Sequence, residues 1–220
     1  MSHPEMFPSA GASDEVSDEV SVRASSGRPQ AHPSSPEPPA HPSHPSRDGR
    51  DRLTGLLLGA AAVAMGLMAG LFFAFDVSVM PGLARGDDRT YATAMRNINA
   101  VIDGSGPFVL VFLGAPAVTA WAAFRAVRKG QRAMGWWLLA ATLCYLAVLA
   151  LTMGINIPLN DELADLGRPG PSTDYSVIKD FKGTWETANI FRTLLCLGAL
   201  IGIVRALLLH GRATARPGTH

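Results

Sequence analysis

Four stretches of this chain are each long and apolar enough to cross a bilayer as a helix, and no other feature restricts the fold as strongly. They run over about residues 53–75, 108–126, 136–157 and 190–209 of 220. The first carries no charge, and the fourth carries only Arg192 and Arg205, both near its ends. A water-soluble four-helix core would keep a polar face on every helix, and these runs show none. The expected fold is therefore all-α: a four-helix transmembrane bundle, with a further amphipathic helix between spans one and two.

The 48% hydrophobic content conceals two unlike parts. Residues 1–50 are rich in Pro, Ser and charge, as in Ala31-His-Pro-Ser-Ser-Pro-Glu-Pro-Pro-Ala-His-Pro-Ser-His-Pro45, and bury too little surface to offset the entropy of ordering. The expectation is a disordered cytoplasmic tail (1–50), a membrane domain (51–210) and a short cytoplasmic tail (211–220). The head lacks the apolar stretch and small-residue cleavage site of a secretory signal, and a start codon assigned too far upstream also accounts for it. A net charge of +1 and the absence of a basic patch interleaved with aromatics argue against nucleic acid as a partner. Cys144 and Cys196 each sit in an apolar run without CxxC spacing, which suits packing rather than a disulfide framework.

Orientation follows from the basic residues in short flanking segments. Arg125, Arg128, Lys129 and Arg132 join spans two and three with no acid among them; Arg47, Arg50 and Arg52 precede span one, and Arg205, Arg212 and Arg216 accompany the end of span four. Those regions are expected in the cytoplasm, both termini included, with Trp136 and Trp137 at the inner interface of the cell membrane. The Gly55/Gly59, Gly66/Gly70 and Gly198/Gly202 spacings allow close helix approach and raise the option of a homo-oligomer, and Pro116 is expected to kink span two. Membrane lipid is the one partner the composition demands.

Polar residues collect at the opposite end. Tyr91, Met95, Ile98 and Ile102 recur at helical spacing after Asp87 and Asp88, while Arg96, Asn99 and Asp103 form another face. Asp76 follows Phe72 by one turn, and Trp185, Asn189 and Arg192 fall at i, i+4, i+7 on one narrow face that should point inward, because an arginine facing lipid is penalised. Asn156 lies in the last turn of span three, and Pro158 is expected to end that helix so that Asn160 turns back over it. The candidate constellation is Asp76, Asn156, Asn160, Trp185, Asn189 and Arg192, capped by Arg96, Asn97 and Asn99. Two readings stay open: a hydrogen-bonded lock in which Arg192 satisfies Asp76 or free carbonyls, and a pocket for a flat oxygenated molecule. All six histidines lie outside the four runs, and no GxGxxG or P-loop pattern is placed between strand and helix, so no metal or nucleotide cofactor is expected.

Gly70-Leu-Phe-Phe-Ala-Phe75 ahead of Pro81, the Asn97-Ile-Asn99 helix, Asn156-Ile-Pro-Leu-Asn160 and Trp185-Glu-Thr-Ala-Asn189-Ile-Phe-Arg192 together resemble the anthrone oxygenase-like family (DUF1772), over roughly residues 53–210. The Pro/Ser-rich head is not part of that pattern. The resemblance implies a small four-span membrane protein, and fungal members oxidise the central methylene of an anthrone to the anthraquinone with molecular oxygen. For such a reaction O2 is the co-substrate, Asp76 the candidate base, and Arg192 with Asn156 and Asn189 the stabiliser of the enolate. Trp185 would stack on the rings, and Asn97, Asn99 and Asn160 would complete the substrate site. The competing expectation is a non-enzymatic tetraspan that binds or transports a lipophilic molecule or organises a partner.

Overall fold

In a computed structural model the described residues are 47–167, 170 and 173–215, all within one compact unit, Ser43–His220. Residues 1–46 of the head expected to be disordered over 1–50 lie outside them, as do residues 216–220, while residues 47–50 form the first turn of a helix. Among the described residues the chain is all-helical without strands. Helix α1 (Arg47–Ala74) passes through a π-turn (Phe75–Val79) into α2 (Met80–Leu83). Then come α3 (Asp88–Asp103), α4 (Gly106–Arg128), and α5 (Arg132–Leu151), which continues through a second π-turn (Thr152–Asn156) into α6 (Ile157–Asp165). A single long helix, α7 (Ser176–Thr214), completes the chain.

Four helical segments meet the length and composition needed to cross a membrane: Asp51–Leu83, Gly106–Arg128, Arg132–Asp165 and Phe181–Thr214. α1 and α5 each pack on both α4 and α7, so the four form a ring with α1 and α5 on a diagonal. Their shared core is built from Leu58, Met65, Phe72, Leu138, Tyr145, Val148, Cys196 and Ile203, with alanines where helices approach. Leu56, Leu110, Trp136 and Ile201 point outward and are exposed, as expected of an apolar belt facing lipid rather than water.

Local chemistry explains the ends. Asp87 caps α3 by accepting from the Thr90 amide at 2.7 Å, and hydrogen bonds from the Thr90 side chain and backbone hold its carboxyl below the usual range. Ser105 caps α4. That helix stops in a Schellman turn: Gly130, at φ 73°, donates to the Val127 carbonyl, and Gln131 donates to that of Ala126. Only glycine adopts that φ cheaply, and the tight turn returns the chain directly into α5. α4 itself runs unbroken through Pro116.

Pro158 does not end the third span, contrary to the expectation from its sequence, and Asn160 therefore lies within α6 instead of folding back over a helix end. The π-turn supplies the reason. A proline clashes with the carbonyl four residues earlier and lacks a donor. Widening the turn to i+5 bonding, as in the Ile157 amide to Thr152 carbonyl bond, moves that carbonyl aside and lets the helix pass. The first span repeats the device: Met80 donates to Phe75, and Pro81 follows its π-turn at the same offset as Pro158 follows the second.

Of the glycine pairs, Gly198 and Gly202 are used inside the chain. Gly198 faces the Cys144 sulfur, and a Cβ on Gly202 would stand 2.9 Å from the Trp137 carbonyl oxygen and 3.1 Å from the Ala141 Cβ. Because a backbone oxygen of a packed helix cannot yield, Gly202→Ala is expected to lower stability by about 1–3 kcal/mol. Thermal melts in detergent of that variant beside Gly59→Ala, whose Cβ meets nothing within 4 Å, check this.

The three basic segments share one end of the bundle. Lys129 lies 4.0 Å from Asp51, and the Asp51 carbonyl is 2.9 Å from His210 Nε2. His210 is thus no tail residue, as the end of the apolar run at Leu209 suggests, but a buried part of α7, which continues to Thr214. At the other end α2, α3, α6 and the start of α7 enclose a second apolar core of Phe75, Met80, Tyr91, Met95, Leu163, Ile178, Phe181 and Trp185. Lys182 clips this cap together, 3.1 Å from Asp88 and above the Tyr91 ring.

Candidate functional site

Between the two cores lies a cavity of about 110 Å³ whose wall combines aromatic rings with amides and a guanidinium. Phe72 and Phe75 come from the first span, Phe108 and Phe112 from α4, and Trp185 from α7. Thr152 and Asn156 come from the second π-turn, Asn160 from α6, Asn99 and Asp103 from the end of α3, and Asn189 and Arg192 from α7. Asp103 and Ile157 are the exposed members of this wall, so the mouth opens between the end of α3 and the start of α6. Both π-turns fall at this level. Such turns shift residues in register relative to an α-helix, and Asn156, the last residue of the second one, reaches the Trp185 carbonyl on α7.

A continuous hydrogen-bond chain crosses the site. Thr193 Oγ1 donates to Asp76 Oδ2 at 2.6 Å, and Asn189 Nδ2 donates to Asp76 Oδ1 at 2.5 Å and to the Phe72 carbonyl at 2.9 Å. Asn189 Oδ1 accepts from Arg192 Nη2 at 2.7 Å, and Arg192 Nη1 reaches Thr152 Oγ1 at 3.4 Å. Arg192 is 5% exposed, and its guanidinium lies 4.4 Å from the Phe72 ring centroid and 5.3 Å from that of Trp185. No carboxylate among the described residues forms an ion pair with it. Asn189 stands between Asp76 and Arg192, so the direct contact imagined for a lock is replaced by an amide relay. That relay fixes the amide's orientation, because Asp76 can only accept and Arg192 can only donate.

Alongside, Trp185 Nε1 donates to Asn160 Oδ1 at 2.9 Å, and Asn156 Nδ2 donates to the Trp185 carbonyl at 3.4 Å. Three atoms on cavity residues are buried without a partner: Arg192 Nε, Asn99 Nδ2 and Asn156 Oδ1. Tyr145 OH is a fourth buried atom without one, on a ring packed 6.0 Å from that of Phe112. Leaving such groups unpaired costs about 1–3 kcal/mol each, so a cluster this local calls for a polar occupant, ordered water included.

The sequence-derived candidates divide. Asn99, Asn156, Asn160, Trp185, Asn189 and Arg192 line the cavity together. Asp76 does not; its carboxylate is taken up by Asn189 and Thr193, and it borders a separate recess with Met80, Pro81 and Glu186. Asn97 is exposed on the outer side of α3. Arg96 donates from Nη1 to the Gly167 carbonyl, tying α3 to the end of α6. Spacing groups Asn99 with Arg96, whereas the structure turns it inward on the Tyr91–Met95 stripe, two turns from Tyr91. Asp103, Thr152 and Thr193 carry no motif; only their positions one turn from Asn99, Asn156 and Asn189 point to them. Among the described residues no three His, Cys, Asp or Glu side chains converge as metal ligands.

Fold and site together define a multi-pass, all-helical membrane protein with a cavity of aromatic rings and amides at one end of its bundle. Residues 108–202 match the family model for anthrone oxygenase, the family that the Asn156–Asn160 and Trp185–Arg192 motifs resemble. Both motifs lie inside the matched segment; α3, Asp76 and Asp103 lie before it. No curated protein and no solved structure matches the chain.

Proposed function

We propose that the chain is a membrane-embedded oxidase of anthrone-like aromatic compounds, using molecular oxygen and no bound cofactor. The observation that carries this reading is the convergence of two unpartnered donors, Arg192 Nε and Asn99 Nδ2, and one acceptor, Asn156 Oδ1, on residues of one aromatic-walled cavity. A ketone flanked by phenols presents the complementary acceptor and donors. At about 110 Å³ the cavity is smaller than the ~150 Å³ that admits benzene, so it takes the oxygenated edge of a ring system while the remainder projects through the mouth.

That pose assigns the chemistry. In an anthrone the ketone and the methylene sit at opposite ends of the central ring. With the ketone at Arg192, the methylene points to the mouth, where Asp103 is the carboxylate in the wall. Asp103 takes a methylene proton, and the resulting enolate is stabilised by Arg192 and the asparagines. The enolate gives one electron to O2, and the radical pair combines to a hydroperoxide at the former methylene. Loss of the second proton from that carbon, with departure of hydroxide and cleavage of the O–O bond, yields the quinone. The balance is one anthrone and one O2 to one quinone and one water. In this assignment Asp76 acts through Asn189 and does not touch substrate. The grouping of basic segments at the far end supports cytoplasmic termini and, with them, a cavity toward the outer leaflet of the cell membrane.

Oxygen uptake and quinone absorbance in nanodiscs, given a hydroxylated anthrone, test the reading. The intact protein should exceed protein-free autoxidation at one O2 per quinone, and Asp103→Asn should slow it by about 100-fold or more. Uptake at the autoxidation rate with the anthrone still bound would replace this reading with a non-enzymatic protein that binds lipophilic molecules.

A further inference from the structure

The bundle carries a second cavity at its basic end, about 130 Å³, between the start of α1 and the last two turns of α4. Its floor is apolar: Leu53 and Leu57, one turn apart on α1, face Trp121 and Ala122 on α4, with Met134 closing it from α5. Its rim is cationic and polar, formed by Arg125, Lys129 and Gln131. From Trp121 to Lys129 the α4 wall spans eight residues, or about 12 Å at the helical rise. The groove therefore passes from apolar depth to a charged edge over the length of a lipid's glycerol region and upper acyl chain.

The rim charges are not used up within the protein. Lys129 has only a long 4.0 Å contact with Asp51, both side chains about 40% exposed, which is worth little. Arg125 is half-buried, and its guanidinium makes no hydrogen bond or ion pair with any described residue. Arg128, beside them, lies over the Phe124 ring. No acid occurs between Arg125 and Arg132, so nothing on this turn offsets the positive field. The Schellman turn at Gly130 fixes the geometry, holding Lys129 and Gln131 at the rim. A half-buried guanidinium without a counter-charge, above an apolar slot open to the bilayer, calls for an anion attached to a hydrocarbon chain.

We propose that this groove is a binding site for an anionic phospholipid, its phosphate on Arg125 and Lys129 and one acyl chain against Leu53, Leu57 and Trp121. The occupant is a bilayer lipid rather than free phosphate because most of the wall is apolar and the groove lies alongside the span. The site is separate from the aromatic cavity, and its occupation does not depend on the reaction there.

The test is native mass spectrometry of the full chain released from nanodiscs of equal phosphatidylglycerol and phosphatidylcholine, with inorganic phosphate as a further arm. The intact protein should retain phosphatidylglycerol preferentially, and each rim cation removed should lower the enrichment about 5-fold. Arg125→Gln/Lys129→Gln should therefore bring it near parity, and Gln131→Glu, which adds a repelling charge at the rim, should act in the same direction. Arg85→Gln/Arg89→Gln at the other end should leave it intact. Equal loss in that control would mean that general charge attraction rather than a site is being read. Retention in both rim variants, or displacement of the lipid by millimolar phosphate, would overturn the assignment.

Discussion

Asn189→Ala should lower the stability of the bundle by about 3 kcal/mol and should abolish quinone formation even in the fraction that remains folded. Three hydrogen bonds end on this amide, from Asn189 to Asp76 and to the Phe72 carbonyl, and from Arg192 to Asn189. Interhelical hydrogen bonds in membrane proteins average about 0.6 kcal/mol and reach about 1.7. Two of the three cross between helices and the third, from Arg192, lies within α7; two involve charged groups and all belong to one network, so together they fall at the upper part of that range, and alanine leaves both charges under-satisfied. Thermal unfolding in detergent checks the first part. Asp76→Asn offers the sharper comparison: it keeps an acceptor for Asn189 but no longer forbids the reversed amide. It should cost less stability than Asn189→Ala while still loosening Arg192. An Asn189→Ala protein that melts with the parent would mean that the relay is incidental.

The relay also shows what the sequence could convey. Trp185, Asn189 and Arg192 share a helical face by spacing alone, and lipid exclusion of arginine points that face inward, so their meeting with Asn156 and Asn160 is legible in the sequence. Asp76 was equally legible as a polar residue near the same level, but not on which side of Asn189 it would lie. That depends on the π-turn at Phe75–Val79, and a one-residue change of helical register has no composition signature. The same applies to Pro158. Read alone it ends a helix, and only the widened turn before it lets α6 continue and present Asn160 to Trp185. Asn99 illustrates a third limit. Amphipathic reasoning assigns polar residues to the outer face, whereas α3 covers a polar cavity and so turns its asparagine inward.

Arg192→Lys is the substitution that separates charge from shape in the proposed reaction. The guanidinium is held in a plane between Phe72 and Trp185, with Nη2 on Asn189 and Nη1 toward Thr152, which leaves Nε as the donor without a partner beside the cavity. Lysine preserves the positive charge but offers one flexible ammonium for that whole arrangement. If Arg192 stabilises the enolate through a fixed donor, the interaction strengthens as negative charge develops on the ketone oxygen. Loss should then appear mainly in kcat, by about 100- to 1000-fold, with a small change in KM. If the cation only attracts an acidic substrate to the site, lysine should keep most of kcat, and any change should sit in KM and weaken with salt. The distinction carries weight because the cation has no carboxylate partner among the described residues. An arginine this buried, linked through one amide to Asp76, keeps much of its positive potential, and an anion forming beside it is the charge that no described carboxylate supplies in direct contact.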